Sequence, residues 1–208
     1  MDRVYAPHDL LWVSQLSDIE DVPEWFTRSD LIERPVVVRR APIQSGRIAV
    51  GIRGTNRSQR HASFIAPHDI LRSLTPEALT EQRGWETQDT RHPLPHWQAL
   101  HEIDQIMHAA QHSWGINGSL AFELATGIPT AHLDSDIDLR LLCPEPLDKA
   151  WCRHISDQLQ SLPLRPDVQI ETPYGAFAMN EWLSSDSVMI KSHTGPTISH
   201  HPWQPPHC

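Results

Sequence analysis

The chain has 208 residues, 39% of them hydrophobic and 21% charged, which excludes a wholly disordered protein and suits one large domain or two modest ones. A formal net charge of −9 argues against non-specific nucleic-acid binding, and no apolar run approaches the ~20 residues a membrane span needs. Three cysteines (Cys143, Cys152, Cys208) with no CxxC pair and no signal peptide point to the reducing cytoplasm, not to a disulfide framework or structural zinc.

In chain order, residues 10–13, 36–38 and 48–52 read as strands, with Ser45-Gly46 as a turn between the last two, and residues 67–79 predict a short helix. Between Arg34 and His68 stand seven arginines (Arg34, Arg39, Arg40, Arg47, Arg53, Arg57 and Arg60) and no Asp or Glu. This segment carries +7, leaving −16 for the rest of the chain. The planar arginine fork donates paired, charge-assisted hydrogen bonds, so the segment suits a polyphosphate; a merely solvated basic surface is the alternative. Residues 84–96, rich in turn formers and proline, read as a linker.

Beyond it, Leu100, Ile103, Met107 and Ala110 keep helical spacing, as do Leu147, Ala150, Trp151, Ile155, Leu159 and Leu162. Strands are expected at 113–118, 137–142, 168–170 and 187–191, and the proline-rich tail from Pro202 is placed on the surface or in disorder. The expected fold is α+β: a small β-rich, arginine-bearing domain over 1–83, the linker, and a mixed sheet flanked by helices over 97–208.

Three pieces of the second half carry chemistry. Gly118-Ser119 stands between a strand and the helical run Leu120-Ala-Phe-Glu-Leu-Ala125, where exposed backbone N–H groups can hold a phosphate. Asp136-Ile-Asp138 places two carboxylates on one face of a strand, and a divalent cation relieves their repulsion. Arg165-Pro-Asp167-Val-Gln-Ile-Glu171 opens a further acidic strand, from which Asp167 or Glu171 can complete a three-carboxylate site. The fourteen histidines are scattered, and none acquires a role from its spacing.

The order Gly118-Ser119, Asp136-Ile-Asp138, Asp167 resembles the DNA polymerase β-like nucleotidyltransferases, although the 16 residues between Ser119 and Asp136 exceed the spacing typical there. A resemblance along nearly the whole chain is to the malonate decarboxylase holo-acyl-carrier-protein synthases, the phosphoribosyl-dephospho-CoA transferase family. It rests on His8-Asp-Leu-Leu-Trp12, Pro35-Val-Val-Val-Arg-Arg40, Val50-Gly-Ile-Arg-Gly54 and Arg57-Ser-Gln-Arg60 in the first half. In the second half it rests on Trp114-Gly-Ile-Asn-Gly-Ser119, Phe122-Glu-Leu-Ala-Thr-Gly127 and Asp167-Val-Gln-Ile-Glu-Thr-Pro173.

The resemblance implies transfer of a phosphoribosyl-dephospho-CoA group from its triphosphate precursor to a serine of the malonate decarboxylase acyl-carrier protein, with loss of pyrophosphate. It implies Mg²⁺, or Mn²⁺, held by Asp136, Asp138 and Asp167. Phosphates would be held by Gly118 and Ser119, and polyphosphate or an acidic carrier by Arg40, Arg53, Arg57 and Arg60. A nucleotidyltransferase acting on another small-molecule or protein acceptor is the alternative, and a non-catalytic nucleotide-binding module is a more distant one.

Overall fold

The computed structural model describes residues 5–42, 44, 46–55, 58–88 and 91–205, and the fold is α+β. The chain divides into two compact units, Met1–Thr75 and Pro76–Cys208.

The first unit contains β1 (Leu10–Val13), α1 (Arg28–Glu33), β2 (Val36–Val38), β3 (Ile48–Arg53), β4 (Arg60–Ile65) and β5 (Ile70–Leu74). The strands form one antiparallel sheet in the order β4-β3-β2-β1-β5. Alternation along the strands sends Leu11, Val13, Val36, Val38, Val50, Ile52 and Ile65 into a shared core, joined by Phe26 and by Leu31 of α1. Thr27 caps α1, its hydroxyl accepting from the Asp30 N–H while the Asp30 carboxylate accepts from the Thr27 N–H. Of the expected turn, Ser45 lies outside the described residues, and Gly46 has a φ of 72°. The helix expected over 67–79 is instead a single 3₁₀ turn at Pro67–Asp69, then β5 paired with β1, and helix only from Pro76. Proline fits a first helical turn, and the open edge of β1 claims the residues between the two prolines.

The second unit contains α2 (Pro76–Glu81), α3 (Trp85–Gln88), α4 (Pro95–Ala109), β6 (Trp114–Ile116), α5 (Gly118–Thr126), β7 (Ile137–Leu142) and α6 (Lys149–Gln160). It continues with β8 (Pro166–Thr172), β9 (Gly175–Ala178), α7 (Met179–Ser184), β10 (Val188–Ser192) and β11 (Gly195–Ser199). Residues 84–96, read from sequence as a linker, carry α3 and the start of α4 in this unit, with Trp85 buried. The sheet runs β11-β10-β9-β8-β7-β6 and is mixed: β7 and β8 are parallel, joined through α6, and the other pairs are antiparallel. Leu100, Ile103 and Met107 of α4 and Ile155 and Leu159 of α6 are the buried residues that the helical spacing selects.

The described start of the tail is held against the second unit. Pro202 is buried, and its carbonyl accepts from the Thr172 hydroxyl. The Trp203 indole N–H donates to the Cys143 carbonyl at 3.0 Å, with ring centroids 5.4 Å from Phe177 and 5.1 Å from Trp182. A tryptophan offers enough apolar area to bind a proline-rich segment down, which composition alone does not show. No helix among the described residues is long and apolar enough to cross a membrane.

Candidate active site

The site is built where β6 turns into α5, beside the N-terminal end of β7. The Asn117 N–H donates to the Asp138 carbonyl at 2.8 Å, so the turn is stitched to the strand that carries the carboxylates. Gly118 follows with a φ of 73°, and a Cβ built there would collide with the Asp138 carboxylate. Both facts demand glycine: the left-handed backbone and the close approach leave no room for a side chain. Ser119 sits in the first turn of α5, at the positive end of the helix dipole. Gly118, Ser119 and Asp138 therefore stand together, as the sequence order suggests.

β7 alternates as expected, with Ile137, Leu139 and Leu141 each at most 2% exposed on one face. Asp138 is half-buried on the other face, and its register partner on the parallel strand β8 is Asp167, which is exposed. Asp136 lies one residue before β7 and is exposed. Adjacent strands lie ~4.8 Å apart, so the carboxylates of Asp138 and Asp167 share one face as close neighbours. Among the described residues, neither Asp136 nor Asp167 forms an ion pair with Arg, Lys or His.

Glu171 shares the Asp167 face but stands four residues further along β8, roughly 13 Å at the usual strand rise. It is buried at 8% exposure and is the register partner of Leu142, at the far end of the parallel pair. Of the two acids that the sequence offered on this strand, Asp167 and not Glu171 therefore stands beside Asp138. Arg140, next on the Asp138 face, is taken up by Glu77 of α2: its Nε donates to Oε1 at 2.9 Å and a terminal nitrogen to Oε2 at 2.6 Å. That buried fork anchors a helix.

The segment 127–136, which lengthens the spacing between Ser119 and Asp136, is held by two residues that sequence reading left without a role. Glu123 of α5 is fully buried, and its Oε2 accepts from the Thr130 N–H at 2.8 Å and the Ala131 N–H at 2.9 Å. Its Oε1 accepts from Gln88 at 2.9 Å and pairs with His92 at 2.8 Å. Burial pushes this carboxyl up, but the hydrogen bonds from Thr130, Ala131, Gln88 and His92 together outweigh it and hold it below the ordinary glutamate range. His96 of α4, 1% exposed, donates from Nε2 to the Ser135 carbonyl at 2.8 Å, directly ahead of Asp136. A lone acid inside the apolar helical run 120–125 was the available signal for Glu123; His96 offered none.

The arginine-rich segment lies in the first unit. Arg53 closes β3 and Arg60 opens β4, and the two are register partners, so like charges are held side by side. Arg40 follows β2 and is half-buried, while Arg57 lies outside the described residues. Acids from upstream of the segment pair with it: Arg34 with Asp30 at 3.5 Å and Arg47 with Glu20 at 2.8 Å. Cys143 and Cys152 are buried, and burial pushes both thiols up to about 12, so they stay protonated at neutral pH.

Among the described residues, no three His, Cys, Asp or Glu side chains stand close enough together to hold a metal ion between them. The donor set nonetheless fits Mg²⁺, which takes one or two carboxylates and leaves its other positions to water and substrate phosphates. Asp138 and Asp167 offer such an ion oxygen donors on an open, anionic face beside the Gly118 turn.

Residues 6–76 match the family model described as the phosphoribosyl-dephospho-CoA transferase MdcG N-terminal domain, and residues 79–202 match that of its C-terminal domain. A phosphoribosyl-dephospho-CoA transferase of Klebsiella pneumoniae (strain 342) is 39% identical over 204 residues, covering 98% of each chain. Proteins of the same name from Pseudomonas putida and Azotobacter vinelandii are 40% and 37% identical, each covering 95% of this chain and 94% of its own. No solved structure matches the chain.

Proposed function

The chain belongs to the phosphoribosyl-dephospho-CoA transferase family, and from that membership we propose that it loads a prosthetic group onto a carrier protein. The donor is the triphosphate precursor of the phosphoribosyl-dephospho-CoA group, and the acceptor is a serine of the malonate decarboxylase acyl-carrier protein. The observation that carries this reading is the register pairing of Asp138 with Asp167 beside the Gly118 turn, a polyphosphate-handling arrangement that a transferase of this name requires.

In the reaction the serine oxygen forms a bond to the α-phosphorus, the bond from that phosphorus to the bridging oxygen breaks, and pyrophosphate leaves with the electron pair. Asp136, Asp138 and Asp167 would hold Mg²⁺, which when bound neutralises charge on the triphosphate and stabilises the leaving oxygen. Asp167, exposed at the start of its strand, would accept the serine proton. Gly118 and Ser119 would direct backbone N–H groups, and the Ser119 hydroxyl, at the departing phosphates. Glu123 and His96 keep the Asp136 segment fixed while the bonds change. Arg40, Arg53, Arg57 and Arg60 would meet either the triphosphate or the acidic surface of the carrier, and salt would weaken both roles.

Pyrophosphate release distinguishes this reaction from transfer to another acceptor. Release is expected only when the triphosphate precursor, Mg²⁺ and the apo-carrier are present together, one pyrophosphate per carrier serine. Release with a small-molecule or unrelated protein acceptor, and none with the carrier, would move the enzyme to a different acceptor.

A further inference from the structure

One polar group at the turn is not explained by the fold. Asn117 is 4% exposed, and its amide oxygen is buried with no hydrogen-bond partner. It occupies the N-cap position of α5 with extended backbone (φ −121°), yet its side chain makes no cap hydrogen bond. Asparagine at that position ordinarily accepts from the second or third N–H of the helix. A buried amide left unmatched costs stability, and such groups persist where something outside the fold completes them.

The register places Asn117 on the face of the sheet that carries the carboxylates. β6 and β7 pair with Ile116 opposite Leu139, and the Asn117 N–H bonds the Asp138 carbonyl, so Asn117 stands directly across from Asp138. Residues opposite each other share a face, and Asp138 is itself opposite Asp167. Asn117, just past the end of β6, thus lines up with Asp138 of β7 and Asp167 of β8, at the end where the Gly118 turn begins.

We propose that Asn117 is a substrate-contacting residue, its amide oxygen accepting a hydrogen bond from an alcohol hydroxyl of the reacting pair. The inference rests on the transferase reading above and deepens it. Phosphate oxygens accept hydrogen bonds and so cannot complete an acceptor atom; an O–H group can. The reacting pair offers that group from two sources, the ribose hydroxyls of the donor and the hydroxyl of the acceptor serine.

The test is Asn117→Ala, read for both unfolding midpoint and transfer kinetics beside the wild-type protein. Because the amide has no partner in the fold, the midpoint is expected to hold or rise while kcat/KM falls by roughly 10²-fold, the loss of one hydrogen bond to substrate in a desolvated site. A weakened affinity for the triphosphate donor measured without carrier assigns the hydroxyl to the ribose. Unchanged donor affinity with a slowed transfer to the carrier assigns it to the serine. Asn117→Ser, which keeps an acceptor oxygen on a residue suited to an N-cap, is expected to regain part of the rate and serves if the alanine variant does not fold. A fall in the midpoint of either variant with wild-type kinetics would make Asn117 a structural residue and overturn the proposal. Failure of the wild-type protein itself to load the carrier would instead remove the transferase reading.

Discussion

Asp136→Asn is expected to lower the rate of transfer by on the order of 10³-fold, the scale of losing a preorganised charge at a phosphoryl-transfer site. Its stability should stay within about 0.5 kcal/mol of wild type, as for an exposed residue outside any strand. The contrast between those two effects is the informative part. Asp136 is exposed and has no ion-pair partner among the described residues, so a loss of rate without a loss of stability points to the reaction and not to the fold. Asp138→Asn should lose activity to a similar degree, with a larger change in stability, because that carboxylate is half-buried against Gly118. Steady-state kinetics with urea unfolding on the same preparations checks both. Near-normal turnover by folded Asp136→Asn would remove this residue from the site.

Glu123→Ala is expected to destabilise the protein by about 3–5 kcal/mol, because it strips the acceptor from a buried network of four partners. Two backbone N–H groups, of Thr130 and Ala131, lose their partner, and the segment leading to Asp136 loses its anchor. The pH dependence follows from the direction of the shift. The folded carboxyl sits below its ordinary range, so its stabilisation is fully present above that range and is lost as pH falls through the lower, folded value. Urea unfolding at neutral pH and again in acid should therefore show the gap between wild type and Glu123→Ala narrowing in acid. A gap that is small at neutral pH, or that widens in acid, would contradict the anchoring role.

The parts of this molecule that were legible in the sequence are those with a period or a motif. Strands such as Ile48–Arg53 and Ile137–Leu142 and helices such as Pro95–Ala109 and Lys149–Gln160 each show repeating apolar positions, and Leu100, Ile103, Met107, Ile155 and Leu159 are buried as that repeat predicts, whereas Ala150 is exposed and Cys152 and Ser156 are buried outside it. Gly118, Asp138 and Asp167 were named from residue order, and the sheet register brings them together. Short elements without an unbroken apolar run were missed: Gly175–Ala178, Met179–Ser184 and Gly195–Ser199 hold four to six residues each, too few for a period, and are fixed by their neighbours, whereas the apolar runs of Leu10–Val13 and Val36–Val38 were read. Ile70–Leu74 was lost to a helical reading because its strand character comes from the edge of β1, a tertiary cause. Glu123 and His96 act through contacts 7 to 39 residues away, which spacing cannot reveal. The tail escaped for a similar reason, since Trp203 binds Cys143, Phe177 and Trp182 across the second unit.

The most direct test of the central claim is intact-mass spectrometry of the apo acyl-carrier subunit of malonate decarboxylase after incubation with this protein, Mg²⁺ and the triphosphoribosyl-dephospho-CoA precursor. The account predicts a mass gain equal to one phosphoribosyl-dephospho-CoA group on the carrier serine, absent when EDTA is added and absent with Asp136→Asn. An unchanged carrier mass, under conditions where the wild-type protein is folded and binds the precursor, would contradict it.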